Sequence, residues 1–155
     1  MREVVNSHVN YVVADTWQWE QTAAYLIDTH PATAAFVKNA GLGFAVPYVH
    51  NGQPHDYLPD FIIRLKTPEP NYLILETKGY DPLRDVKKAA AERWIAAVNA
   101  DRRYGHWQYA MCGIKDVAQL VTEAIGKMPA GNSGITHQRN NSGCLPLTFQ
   151  INQAL

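Results

Sequence analysis

Residues 57–65 read YLPDFIIRL and residues 72–78 read YLILETK, and the rest of the chain is read outward from these two runs. The first alternates: Tyr57, Phe61, Ile63 and Leu65 share one face, and Leu58, Asp60, Ile62 and Arg64 the other, the period of two that marks a β-strand. The second is a strand that ends at Gly79, with Glu76 and Lys78 on one face and Leu73, Leu75 and Thr77 opposite. The cluster Pro68-Glu69-Pro70-Asn71 is a turn, so the two strands are expected to pair.

Toward the amino terminus, Gly43 to Val49 (GFAVPYV) suits another strand, with Pro47 near an edge or a bulge. Asn51-Gly52 is a strong hairpin signal between that strand and residues 57–65, which predicts three consecutive strands in a meander. Asn39 to Gly43 stops the element before it. That element is predicted to be a short helix opening at His30-Pro31 and running to Lys38. A first helix is expected from the Asp15-Thr16 cap, with Gln18 three residues on, to about Asp28, its Trp17, Ala24 and Ile27 recurring at helical spacing. Val9 to Val13 is β-rich.

Toward the carboxy terminus, Asp81-Pro82 reads as a cap with proline at the first helical position. Leu83, Val86, Ala90, Trp94 and Ala97 then hold one face to about Asn99. Trp107 to Cys112 is a fourth strand, and Asp116 caps a last helix whose Val117, Leu120, Val121 and Ile125 align. The order is α, β, β, β, α, β with additions at both ends, an α+β (α/β) domain over residues 1–128. From residue 129 the chain is rich in Gly, Asn, Ser and Gln without steady periodicity, and 129–155 is expected to be an irregular tail.

With 155 residues there is room for one compact domain. Hydrophobic residues at 46% and charged residues at 18% supply a core and exclude a disordered chain. The 14 basic and 14 acidic residues cancel, yet residues 1–59 carry −3, residues 60–110 carry +2 and the remainder +1. Binding nucleic acid by bulk charge alone is therefore excluded, and any such role is local. Cys112 and Cys144 are too few for a disulfide framework or a four-ligand zinc site. No apolar run reaches the roughly 18 residues of a membrane span, and no signal peptide opens the chain, so the expected compartment is the cytoplasm.

The chemistry lies where the two decisive strands meet. Strand alternation sends Glu76 and Lys78 off one face, and the carboxylate of Asp60 on the neighbouring strand reaches the same neighbourhood. Two carboxylates in a partly desolvated site need a positive charge between them. Oxygen-only ligands favour Mg²⁺, which binds through one or two carboxylates plus substrate phosphate oxygens; Mn²⁺ is an expected substitute. Lys78 is placed to orient water, to act as its base or to stabilise charge. Glu20 lies on the inward side of the first helix, beside Trp17, Ala23, Ala24 and Ile27, where a carboxylate is costly unless it is paired or bound to a cation, and the same metal is within its expected reach. Isolated E-x-K triplets on strand ends are also common as plain surface pairs; the upstream Pro-Asp in this element order is what sets this one apart.

Pro59, Asp60, Glu76, Thr77 and Lys78 match the PD-(D/E)XK motif of the restriction-endonuclease-like nucleases. Over residues 8–110 the chain resembles the carboxy-terminal endonuclease domain of type III restriction enzymes and related helicase-nuclease restriction subunits, through HVNYVVADTWQWE, FVKNAGLGFAVPY, HDYLPDFIIRL and LILETKGYDP. The resemblance implies an αβββαβ core with a central mixed four-stranded sheet flanked by helices. It implies Asp60, Glu76 and Lys78 as a catalytic triad, the Thr77 carbonyl as a metal ligand beside Asp60 and Glu76, and Glu20 as the first-helix acid. It further implies DNA as substrate, with a helicase/ATPase motor and a methyltransferase subunit as partners. No G-x-x-x-x-G-K-[ST] phosphate loop occurs in the chain, so the expectation is an excised cleavage module or a free-standing relative. The alternatives are a repair or structure-specific nuclease and a catalytically idle DNA-binding or interaction module. Cutting both strands calls for two copies, so transient pairing is expected.

Lys87, Lys88 and Arg93 on the helix after the motif, with Arg102 and Arg103 following it, suit either DNA-backbone contacts or a solvated helix face; Lys87, near the active end of its helix, is expected to contact the DNA backbone, and Arg102 and Arg103 to be solvated. Tyr80 and His55 either flank the cleft or make local contacts. The six histidines lack H-x-x-x-H and H-x-x-E-H spacing, and no serine or cysteine sits in a nucleophile motif. Of the four tryptophans, Trp19 alone falls on a polar side, where it is placed to contact another domain.

Overall fold

The computed structural model describes residues 2–3, 5, 11–12, 19–77 and 81–127. Strands β1 (Arg2–Glu3) and β2 (Tyr11–Val12) form a small antiparallel pair, and α1 (Trp19–Asp28) follows. Next come β3 (Thr33–Lys38), β4 (Val46–His50), β5 (Gln53–Tyr57), β6 (Phe61–Leu65), β7 (Asn71–Thr77), α2 (Arg84–Asp101), β8 (His106–Cys112), a single 3₁₀ turn (Ile114–Asp116) and α3 (Val117–Gly126). The class is α+β with a mixed four-stranded sheet in the order β3-β6-β7-β8, as expected at that level. β3, β6 and β7 run antiparallel in turn, and β8 joins β7 in parallel through the α2 crossover.

Two elements differ from the sequence reading. Residues 33–38 are a strand, not the second short helix. Thr33, Phe36 and Val37 bury against the sheet and β3 pairs with β6 around a bulge between Thr33 and Ala35; a ladder with a long apolar strand outweighs the helical leaning of Ala34-Ala35. Residues 57–65 are not one strand. The chain leaves β5 at Tyr57, passes Leu58-Pro59-Asp60 and enters β6 at Phe61, because Pro59 has no N–H to give a ladder. β5 therefore pairs with β4 across Asn51-Gly52 as a separate ribbon, β3 takes the place beside β6, and the sequential meander is replaced. The Asn51-Gly52 turn itself is as expected, with φ of 50° and 71°, both left-handed as a two-residue hairpin turn requires.

The sheet is covered on both faces. Phe36, Phe61, Ile63, Leu65, Leu73 and Leu75 pack under α1 and α3. Val37, Ile62, Ile74 and Trp107 pack under α2, joined by Val46, Tyr48 and Tyr57 of the ribbon. The alternation expected in β7 is observed, but Tyr57 lies with Ile62 rather than with Phe61, since the break at Pro59 uncouples its face from β6. α2 and α3 occur where periodicity placed them. The cap expected at Asp81-Pro82 lies two residues too early: Leu83 occupies the N-cap position of α2, and the Asp81 carboxylate accepts from Leu83 N–H at 2.9 Å in the turn ahead of it. Among the described residues no helix is long and apolar enough to cross a membrane.

Candidate active site

The carboxyl end of β3, the amino end of β6 and the carboxyl end of β7 lie together at one end of the sheet. Asp60 immediately precedes β6 and is held from both sides. Its carbonyl accepts from Asn39 N–H at 2.8 Å, just past β3. Its carboxylate Oδ2 accepts from Thr77 N–H at 2.7 Å and from the Thr77 hydroxyl at 2.8 Å. Two donors on one oxygen fix the orientation of the carboxylate, and among the described residues Oδ1 makes no hydrogen bond.

Glu76 is next to Thr77 and one step beyond the Phe61–Leu75 pair, so the register carries it opposite Asp60. It is only 1% exposed, and its Oε2 accepts from Tyr57 Oη at 2.9 Å. Tyr57 is itself buried. Burial, reinforced by the charge of Glu76, holds its phenol far above the usual tyrosine range, so it stays a neutral donor. Tyr109 Oη stands 3.3 Å from Tyr57 Oη, and its ring meets Tyr57 edge-on. Lys87 Nζ lies 5.7 Å from the Tyr57 ring centroid and 2.9 Å from Asp81 Oδ2.

Glu20, on α1, is ion-paired to Lys38 of β3 at 2.6 Å, with side chains 16% and 9% exposed. The structure thus brings Asp60, Glu76 and Thr77 together and gives Glu20 a protein cation. Among the described residues no group of three or more His, Cys, Asp or Glu side chains gathers as a metal site, so Glu20 does not complete a three-carboxylate set. Lys78, Tyr80, the Asp15–Gln18 cap, Trp17 and residues 129–155 lie outside the described residues. Lys88 pairs with Glu92 and Arg103 with Asp101, and Arg102 is the left-handed cap of α2. His55 stacks on Tyr48 within the ribbon. Trp19 is 57% exposed. Cys112 is buried, and burial, followed by the charge of Asp116, pushes its thiol up to about 11, which leaves it protonated and unsuited to nucleophilic chemistry at neutral pH.

Compared with family models, curated proteins and solved structures, the chain matches none. Geometry and donor chemistry therefore carry the functional argument. Two carboxylates on neighbouring strand ends form a hard-oxygen donor set of the kind Mg²⁺ takes, with water and phosphate filling the remaining positions. The oriented Asp60 carboxylate, whose Oδ1 has no hydrogen bond among the described residues, and the enclosed Glu76 carboxylate are donors of that kind. Sequence reasoning missed Lys38, Tyr57 and Tyr109. Lys38 was hidden by the helix assignment of its segment and Tyr57 by the unbroken alternation of residues 57–65. Tyr109 carried no distinguishing signal.

Proposed function

We propose that this chain is a Mg²⁺-dependent endodeoxyribonuclease domain with a restriction-endonuclease-like core, serving as the cleavage module of a type III-like restriction system. The observation that carries the reading is the clamp between Asp60 and Thr77, which joins the two motif halves, 17 residues apart, beside the enclosed Glu76. Asp60, Glu76 and the Thr77 carbonyl hold the cation. Bound there, a divalent ion supplies Lewis acidity at a phosphoryl oxygen and lowers the pKa of nearby water. Lys78, two residues on from Glu76 in the sequence, orients the attacking water and balances charge building up on the phosphate. The water oxygen bonds to phosphorus, the P–O bond to the leaving sugar breaks, and the proton lost by water is balanced by one gained at the leaving oxygen.

Glu20, paired with Lys38, contributes to the electrostatics of this sheet end in the proposal and reaches the cation only if that pair opens. Lys87, held by Asp81 and Tyr57, supplies positive potential toward the DNA backbone. A helicase/ATPase motor and a methyltransferase subunit in other chains select the site, in keeping with the zero net charge: a delivered domain does not need strong DNA affinity of its own. The deep enclosure of Glu76 favours a second reading, an idle interaction module in which this carboxylate is structural.

Conversion of supercoiled plasmid to nicked or linear DNA in Mg²⁺ or Mn²⁺ separates the two. Wild type is expected to cut, and Asp60→Ala and Lys78→Ala to lose at least 10²-fold in rate. Equal, vanishing activity in all three proteins, with the motor partner supplied, sinks the nuclease assignment.

A further inference from the structure

Tyr57 enters the catalytic end of the sheet from outside the motif. It closes the β4–β5 ribbon and pairs with Val46, and the break at Pro59 turns its side chain under α2 instead of under α1. The phenol therefore reaches across β6 to the strand beyond, where it donates to Glu76 Oε2 at 2.9 Å. An ordinary core tyrosine needs one partner for its hydroxyl, yet this ring is held on several sides. Val46 and Ile62 pack with it, Tyr109 meets it edge-on at 6.4 Å between centroids, and Lys87 lies over it while clamped by Asp81. The partner it is aimed at is the enclosed Glu76 carboxylate.

We infer that Tyr57 is a positioning residue of this site: its hydroxyl helps set the plane of the Glu76 carboxylate for a divalent cation, and the ribbon carries it there. The inference rests on the nuclease reading and deepens it. The Asp60 carboxylate is oriented from β7 by Thr77, and the Glu76 carboxylate is oriented from β5 by Tyr57. Each acidic group thus accepts a hydrogen bond from a strand beyond its own segment. Outer-sphere hydrogen bonds of this kind fix ligand orientation, and losing one lowers metal affinity by roughly 10–100-fold.

The test is calorimetric titration of the full chain with Mn²⁺ alone, without DNA, on wild type, Tyr57→Phe and Asp60→Ala, together with plasmid cleavage across a range of Mg²⁺ concentrations. Tyr57→Phe keeps the ring and its packing. It is expected to bind Mn²⁺ about tenfold more weakly, to need correspondingly more Mg²⁺ for half-maximal cleavage, and to keep the wild-type KM for DNA. Replacement of Tyr57 by para-aminophenylalanine restores a donor on the same ring and is expected to recover most of the affinity; it also keeps the test decisive should the phenylalanine variant fold poorly. Wild-type Mn²⁺ affinity in a folded Tyr57→Phe overturns the inference and leaves the nuclease reading standing. Absence of Mn²⁺ binding by the wild type overturns both.

Discussion

Lys38 and Glu20 meet at 2.6 Å with little of either side chain in water. Taking one partner from such a pair strands a poorly hydrated charge, an effect of about 3–5 kcal/mol where burial is complete. These groups keep some exposure and have further partners, so Lys38→Met is expected to lower unfolding free energy by about 2 kcal/mol, read from the urea midpoint. An unchanged midpoint shows that the pair is not structural. The sequence showed that Glu20, among Ala23, Ala24 and Ile27, needed a positive partner. A paired side chain and a bound cation both answer that need; the strand pairing of residues 33–38 supplies the first by bringing Lys38 within reach. The alternation that puts Glu76 opposite Leu75 is legible because it is a local rule; Asp60 reads as a strand residue, whereas it lies in the break ahead of β6. Tyr57 is not legible, because its face depends on where the chain breaks.

Elements were legible in proportion to how far their own residues decide them. α2, α3, β7 and β8 carry unbroken patterns and appear where expected. Residues 33–38 are chosen by their neighbour β6, and a six-residue segment with two alanines has no strong preference of its own. Two glycines separate local from tertiary demand. Gly52 sits at φ +71° with open space where a Cβ would stand, so Gly52→Ala is expected to destabilise by about 1 kcal/mol through backbone strain alone. Gly105 sits at φ +77°, and a Cβ there would lie 2.6 Å from the Pro70 carbonyl oxygen and 2.8 Å from Pro70 Cβ. That contact accompanies the His106 N–H to Pro70 carbonyl bond of 2.9 Å, which sets β8 alongside β7. Gly105→Ala therefore adds a backbone clash to the strain, and a loss of about 3 kcal/mol is expected. Chemical denaturation of the two variants side by side checks the order; equal losses would show that β8 shifts at no cost.

Across the whole molecule, the candidate site is the place where three strands end together, two of them from the antiparallel half and one shared with the parallel half. A cation bound there links β6 to β7 and stabilises the native state by mass action, about 2.7 kcal/mol at a hundredfold excess over its Kd. For a domain of this size that corresponds to a rise in Tm of roughly 5–10 °C. Scanning calorimetry with and without Mn²⁺ is expected to show this rise in wild type and to lose it in Asp60→Ala; no shift in wild type contradicts the proposed metal chemistry. The α+β class, α2, α3, β7, β8 and the Asn51-Gly52 turn follow from the sequence alone, since periodicity, turn chemistry and strand alternation act over a few residues. Tertiary contacts alone set which strand stands beside β6, make the ribbon a separate sheet, and bring Tyr57 to Glu76 and Lys38 to Glu20. Those outcomes depend on hydrogen-bond ladders and packing between segments distant in the chain, and no local pattern encodes them.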